Sequence, residues 1–169
     1  MTVKVLDYLA VSSYPARMPS RAAAGEVVIP ALLRAARGAY GGAIRVRLAA
    51  SGFDDMPRNG SYVLGGMANR GGSAGDLIRE LGVTKQAASQ LIDTLTLRGY
   101  LERQVNADDR RRMTIDLTER GRAAAGAVRA AVESVDAELA GLITPAELAG
   151  LRAGLVALTE IRERMEEGL

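Results

Sequence analysis

The chain has 169 residues, 48% of them hydrophobic, with 22 basic and 20 acidic side chains and a net charge of +2, a length that suits one globular domain with a sizeable core. It has no Cys and no His, which excludes a disulfide framework, a thiol-based peroxide switch, a zinc or copper sensor built on thiolate or imidazole, and any His-based catalytic triad. The near-neutral total hides a gradient: residues 1–52 carry seven basic and two acidic groups, residues 53–118 nine of each, and residues 119–169 six basic and nine acidic.

Residues 1–24 are the least readable stretch. Val3, Val5, Leu9 and Val11 alternate as in a strand, Asp7 and Tyr8 also allow a helical turn, and Ser12-Ser13-Tyr14-Pro15 reads as a turn. An arm that packs on a partner or touches DNA and a plain flexible terminus both remain open. No secretory signal and no membrane-length apolar run is evident, so a cytoplasmic protein is expected.

Glu26 to Ser51 reads as a long helix, with Ile29, Leu33, Ala36, Tyr40, Ile44 and Leu48 as its apolar stripe and Pro30 tolerated near its start. Gly38, Gly41 and Gly42 weaken its middle and allow a close helix–helix approach or a bend. After a break at residues 51–55, Asp55 is expected to cap a second helix from about Met56 to Ala68, with Pro57 in the first turn and Tyr62, Val63 and Met67 facing inward. Residues 69–72 read as a turn. Ser73, with Asp76 three residues on, opens a helix whose core face is Leu77, Ile78 and Leu81. Gly82 ends it, and Val83 fills the angle before the next.

Thr84 is a good N-cap for that next helix. Ala88, Leu91, Ile92 and Leu95 form its apolar stripe, while Lys85, Gln86, Ser89, Gln90 and Asp93 fall on the opposite side. Amide and ammonium groups on such a face can meet base edges in a major groove, where Gln suits adenine and Lys suits guanine. A merely solvated face is the plainer reading of an isolated helix. The period then changes to two: Leu101, Arg103 and Val105 alternate with Glu102 and Gln104, and Met113, Ile115 and Leu117 with Arg112, Thr114 and Asp116, which predicts a β-hairpin. Its tip holds Arg110, Arg111 and Arg112. Guanidinium groups bind phosphates and are drawn into a narrow minor groove.

Residues 83–118 resemble the winged helix-turn-helix core of the MarR family of bacterial transcription regulators. The resemblance rests on the helix from Thr84 to Ile92, on Leu95, on Arg98-Gly99-Tyr100-Leu101, on the wing run from Asp108 to Arg112 and on Leu117-Thr118-Glu119-Arg120-Gly121. The family's Asp-x-Arg wing pattern falls on Asp109 and Arg111. Three motifs in the right order are more specific than any one of them, and the similarity is clear over roughly residues 73–125. It implies a mainly helical fold with a small β-hairpin wing, long dimerisation helices and a homodimer, with the first long helix in the dimer interface. On that basis residues 1–24 are an N-terminal arm, 25–55 the N-terminal dimerisation helix, 56–118 the winged helix-turn-helix DNA-binding domain, and 119–169 the C-terminal helices of the dimerisation region.

Past the wing, Thr118 caps a helix to about Ile143 with Val128, Val132, Val135, Leu139 and Leu142 along one seam. Thr144-Pro145-Ala146-Glu147 is a full capping box for a last helix carrying Leu148, Leu151, Leu155, Leu158, Ile161 or Arg162, and Met165. Two such seams exceed what one small winged domain can cover, so a symmetric homodimer is the economical solution and a monomeric bundle the alternative.

The expected partner is double-stranded DNA carrying a pseudo-palindromic site. Gln86, Ser89 and Gln90 are expected to read bases, Lys85 guanine or phosphate, and Thr84 with the first helix amides phosphate. Arg111 would enter the minor groove, Arg110 and Arg112 would hold neighbouring phosphates, Arg103 belongs to the same DNA-contacting set, and Asp109 would orient a wing arginine. The resemblance also implies release by a small aromatic or anionic effector. Tyr40, Met56 and Tyr62 are the candidate lining, with core packing the plainer role for all three. No catalytic, metal or cofactor site is expected: Asp54-Asp55 and Asp108-Asp109 are adjacent carboxylates that point apart, and Gly65-Gly66 and Gly71-Gly72 match no phosphate-binding loop. The alternative function is a winged-helix protein-interaction module without DNA binding.

Overall fold

The computed structural model describes residues 27–70, 74, 76, 78, 82–105 and 113–168. Among them are five helices and one two-stranded sheet. They are α1 (Ile29–Ala50), α2 (Gly60–Arg70), α3 (Lys85–Leu97), β1 (Leu101–Val105), β2 (Met113–Leu117), α4 (Glu119–Leu142) and α5 (Pro145–Glu167). The chain divides into two units, the boundary falling after Gly42. In the first, Ala31 is buried while Ile29 and Leu33 are exposed. The buried core lies in the second.

Helix α1 ends where the sequence changes character. Gly52 adopts a left-handed φ of 78°. Its N–H donates to Ala49 O at 3.1 Å, and the N–H of Phe53 donates to Leu48 O at 2.9 Å. This is a Schellman closure, which satisfies carbonyls the helix would otherwise leave orphaned. Ile44 and Leu48 carry the apolar stripe into the core.

Helix α2 starts four residues later than the sequence suggests, and Asp55 is not its cap. Asn59 sits at φ 66° and breaks the helical path, the N–H of Gly60 closes a turn onto Pro57 O at 2.9 Å, and the Asp55 carboxylate is engaged by side chains distant in sequence. Val63 and Leu64 are fully buried, but Tyr62, expected to face inward, is 40% exposed. The glycines that looked out of place mark close packing. A Cβ on Gly60 would come within 2.8 Å of Met56 Sδ and 3.1 Å of Leu95 Cδ2, and one on Gly65 within 3.4 Å of Val128 Cγ1.

Ala74, Asp76 and Ile78 are helical, and Ala74 and Ile78, four residues apart, are buried. Asn69 and Arg70, expected to begin a turn over residues 69–72, continue α2 instead, and the rest of that turn, with Ser73, Leu77 and Leu81, lies outside the described residues. Gly82 takes a left-handed φ of 64°, and Val83 packs half-buried against the core. Helix α3 ends in a second Schellman closure: Gly99 lies at φ 71° and donates to Thr96 O, while Tyr100 N–H donates to Leu95 O. That motif brings the residue after the glycine back onto the helix, and Tyr100 and Leu95 are both fully buried.

Strands β1 and β2 pair antiparallel with Leu101 opposite Leu117, Arg103 opposite Ile115 and Val105 opposite Met113. Alternation puts Leu101, Ile115 and Leu117 against the core and leaves Glu102, Gln104 and Asp116 exposed. The core gathers Leu48, Val63, Leu64, Ala74, Ile78, Leu95, Tyr100, Leu101, Ala124, Ala125 and Val128, joining α1, α2, the first helix of the helix-turn-helix, α3, β1 and α4.

Candidate nucleic-acid interface

Helix α3 and the hairpin stem supply one exposed polar surface. Thr84 caps the helix in extended geometry, its Oγ1 accepting from Ala87 N–H at 3.2 Å. Lys85, Gln86, Ser89, Gln90 and Asp93 are all exposed, while Leu95 is sealed and Ala88, Leu91 and Ile92 pack against the core. The split follows from 3.6 residues per turn: positions 86, 89, 90 and 93 form one stripe, and 88, 91, 92 and 95 the other. The first turn offers N–H groups that no helix carbonyl can satisfy, a favourable place for a phosphate.

The hairpin stem is tied to this helix. Arg103 Nη2 lies 2.5 Å from Asp93 Oδ1, and both side chains remain about half exposed. Arg103 shares the strand face of Leu101, so it leans toward α3. The wing tip, with Asp109, Arg110, Arg111 and Arg112, lies outside the described residues.

Behind the surface, a polar knot joins three elements distant in sequence. Tyr100 Oη donates to Asp55 Oδ1, and Arg98 donates to the Asp55 backbone carbonyl. Arg120 Nη2 reaches Asp55 Oδ1 at 2.8 Å and Tyr100 Oη at 3.2 Å. The Arg120 guanidinium also stands 4.6 Å from the Tyr100 ring centre, within cation–π range, and Tyr100 meets Phe53 edge-on. The hydrogen bond from Tyr100, aided by the charges of Arg120 and Arg98, holds the Asp55 carboxyl below its ordinary value. Burial, reinforced by the bond to Asp55, pushes the Tyr100 hydroxyl up.

A second lock lies beside it. Thr118 Oγ1 accepts from Gly121 N–H at 2.9 Å as the cap of α4 and donates to Gly99 O at 2.5 Å. Gly121 is needed there because a Cβ would sit 2.0 Å from Tyr100 O. The sequence singled out Thr118 as the cap of this helix, and Gly121 and Tyr100 only through the family motif. Asp55 was assigned to another task, and Asp93 was given no role.

Met56 packs against the core, Tyr62 is partly exposed on α2, and Tyr40 lies in the first unit. An open groove of about 400 Å³ between the end of α1 and α4 is lined by Ala43, Val46, Arg47, Ala50, Ala130, Ala131 and Ser134.

A family model of the MarR family matches residues 54–112, from the loop holding Asp55 to the end of the wing arginines. The match covers about a third of the chain, which is similar to the MarR family over that stretch. Solved structures of similar fold span more of the chain. The DNA complex of Staphylococcus aureus MepR is similar at TM-score 0.63 and 20% identity, over 79% of this chain and 98% of that one. Streptococcus pneumoniae FabT in complex with DNA gives 0.61 and 22%, over 72% and 85%. Wild-type MarR of Escherichia coli in its apo form gives 0.56 and 22%, over 78% and 97%. No curated protein matches the chain by sequence.

Proposed function

We propose that this chain is a MarR-family, sequence-specific regulator of transcription that binds double-stranded DNA as a homodimer and represses from a pseudo-palindromic operator. The observation that carries the reading is the stripe Lys85, Gln86, Ser89 and Gln90, fully displayed on a capped helix that the rest of the domain holds from behind. Two copies would enter successive major grooves about one helical turn, ~34 Å, apart. Gln86, Ser89 and Gln90 read base edges. Lys85 and Thr84 meet guanine or phosphate at the helix start. Arg103, Arg110 and Arg112 serve the backbone, and Arg111 enters the minor groove with Asp109 orienting a neighbouring arginine. MepR and FabT, two proteins of similar fold, have been solved as DNA complexes, which supports this reading.

The dimer forms through residues 25–55 and 119–169. Every side chain from Leu151 to Met165 on α5 is exposed in the single chain, and a second copy would cover its leucines. A small-molecule effector releases the DNA by binding two dimer geometries unequally. The protein works in the cytoplasm; no described helix is long and apolar enough to cross a membrane. No catalytic step is assigned.

Fluorescence anisotropy with duplex from upstream of the protein's own reading frame tests this. Saturable binding that a mixed-sequence duplex cannot displace is expected. Arg111→Ala should weaken it by about 1–3 kcal/mol and flatten its salt dependence by about one unit of slope. No preference for any duplex, with the chain folded and dimeric, would leave a protein-interaction module as the function.

A further inference from the structure

We propose that Asp93 is a specificity-determining residue: it withholds Arg103 from the phosphates of non-operator DNA and releases it when a base amino group takes its place. The inference rests on the DNA-binding reading above and deepens it. Asp93 lies on the same stripe as Gln86, Ser89 and Gln90, one turn further along α3, and is exposed like them. A carboxylate on a surface that meets a polyanion is unfavourable unless something neutralises it. Here Arg103 does so, with Nη2 2.5 Å from Oδ1.

The bond has two consequences. First, it cancels a cation: Arg103 sits at the root of the wing, in reach of the backbone beside the groove, yet in the free protein its charge is matched by Asp93. Second, it reserves an acceptor. An ionised carboxylate accepts hydrogen bonds only, and in the major groove just two groups donate, cytosine N4 and adenine N6. A duplex presenting such an amino group opposite the middle of α3 gives Asp93 a new partner, and Arg103 passes to the neighbouring phosphate. A duplex that presents guanine O6 or thymine O4 there offers Asp93 nothing, and the pair stays closed. The exchange conserves charge and hydrogen bonds on the first duplex and forfeits one phosphate contact on the second. Half-exposure of both side chains permits the swap without disturbing the core.

The experiment is a cycle of Asp93→Asn and Arg103→Ala. Each variant is titrated by anisotropy across a salt series against a mixed-sequence duplex and against a duplex selected by the wild-type protein from a random pool. Asp93→Asn should tighten mixed-sequence binding about three- to tenfold and steepen its salt slope by about one. It should leave the selected duplex little changed, because Arg103 is already released there and the Asn amide oxygen still accepts, so the ratio between them falls by the same factor. Arg103→Ala should leave the mixed-sequence slope unchanged in the wild-type background but flatten it by about one in the Asp93→Asn background. Against the selected duplex it should weaken wild-type binding about tenfold. Equal slope changes in both backgrounds would mean Arg103 already touches phosphate and would overturn the proposal. So would an Asp93→Asn effect of the same size on both duplexes, which marks simple repulsion. A wild-type protein that selects no duplex would sink the DNA-binding reading and this proposal with it, an outcome distinct from either of the others.

Discussion

The winged region and the last helix are built on opposite plans. From Leu48 to Val128 the chain closes a core on itself: Tyr100, Leu64, Ile78, Leu95, Leu101 and Val63 are sealed within one copy. Helix α5 has an ideal start, with Pro145 at its first turn and both halves of the Thr144–Glu147 capping box formed, yet Leu151, Leu155, Leu158, Ile161 and Met165 all remain exposed. The first region is folded by its own burial and can afford a polar outer stripe. The second is folded by local propensity and waits for a surface. Scattered apolar residues on a surface mean little, but a row at helical spacing over 15 residues, Leu151 to Met165, is a contact face.

The strongest way to separate the two plans is to charge that face. Leu155→Glu with Leu158→Glu should abolish self-association, because each buried leucine contributes about 1.5–3 kcal/mol and twofold symmetry counts every substitution twice. Sedimentation should show a single-chain mass, with near-wild-type helical content and at least a hundredfold loss of DNA affinity. A doubly charged chain that still sediments as a dimer would place the interface elsewhere. The converse experiment is Tyr100→Ala. Removing a fully buried aromatic that also holds Asp55 and Arg120 should cost about 3–5 kcal/mol and unfold the winged region, whatever the protein concentration.

How much of this could be read beforehand divides along the same line. Local signals were legible: the Thr84, Thr118 and Thr144 caps, the period-two hairpin and the glycine stops at Gly52, Gly82 and Gly99 each depend on a few neighbouring residues. The candidate reading face was legible for the same reason. What could not be read depends on approach through space. Asp55 just before Met56-Pro57 looks like a cap, and only the fold brings Tyr100 and Arg120, 45 and 65 residues away, to its carboxylate. Tyr62 sits beside Val63 in sequence but on the outer side of α2. Arg103 looked like one more cation for the wing until Asp93 was found beneath it.

The polar knot gives a smaller effect with a characteristic pH dependence. The folded Asp55 carboxyl titrates below its ordinary value, chiefly because Tyr100 donates to it. Its contribution is therefore complete above the unfolded value of about 3.9 and is lost as pH falls through the lower folded value. Asp55→Asn should destabilise the chain by about 1 kcal/mol at neutral pH, the scale of a partly exposed ion pair. The gap to wild type should close below about pH 4. Urea melts at neutral pH and at pH 3 measure both; a gap independent of pH would mean that the carboxylate's charge contributes nothing.

The smallest effect compares two caps of identical chemistry in the two regions. Thr118 and Thr144 each accept from the N–H three residues on, at 2.9 and 3.3 Å. The Thr118 hydroxyl is part-buried and also donates to Gly99 O, fastening α4 to the end of α3. Thr144 is exposed and serves only its own helix, exchanging bonds with Glu147. Replacing a capping Thr by Ala costs about 0.5–2 kcal/mol. Thr118→Ala should fall at the upper end, since it also strands the Gly99 carbonyl of a part-buried bond, and should lower the global melting temperature. Thr144→Ala should fall at the lower end and speed hydrogen exchange in the first turns of α5 while the winged region melts unchanged. If the two variants shift the global melt equally, α5 is as firmly part of the cooperative unit as the core, and its exposed leucines are already covered by the second copy in solution.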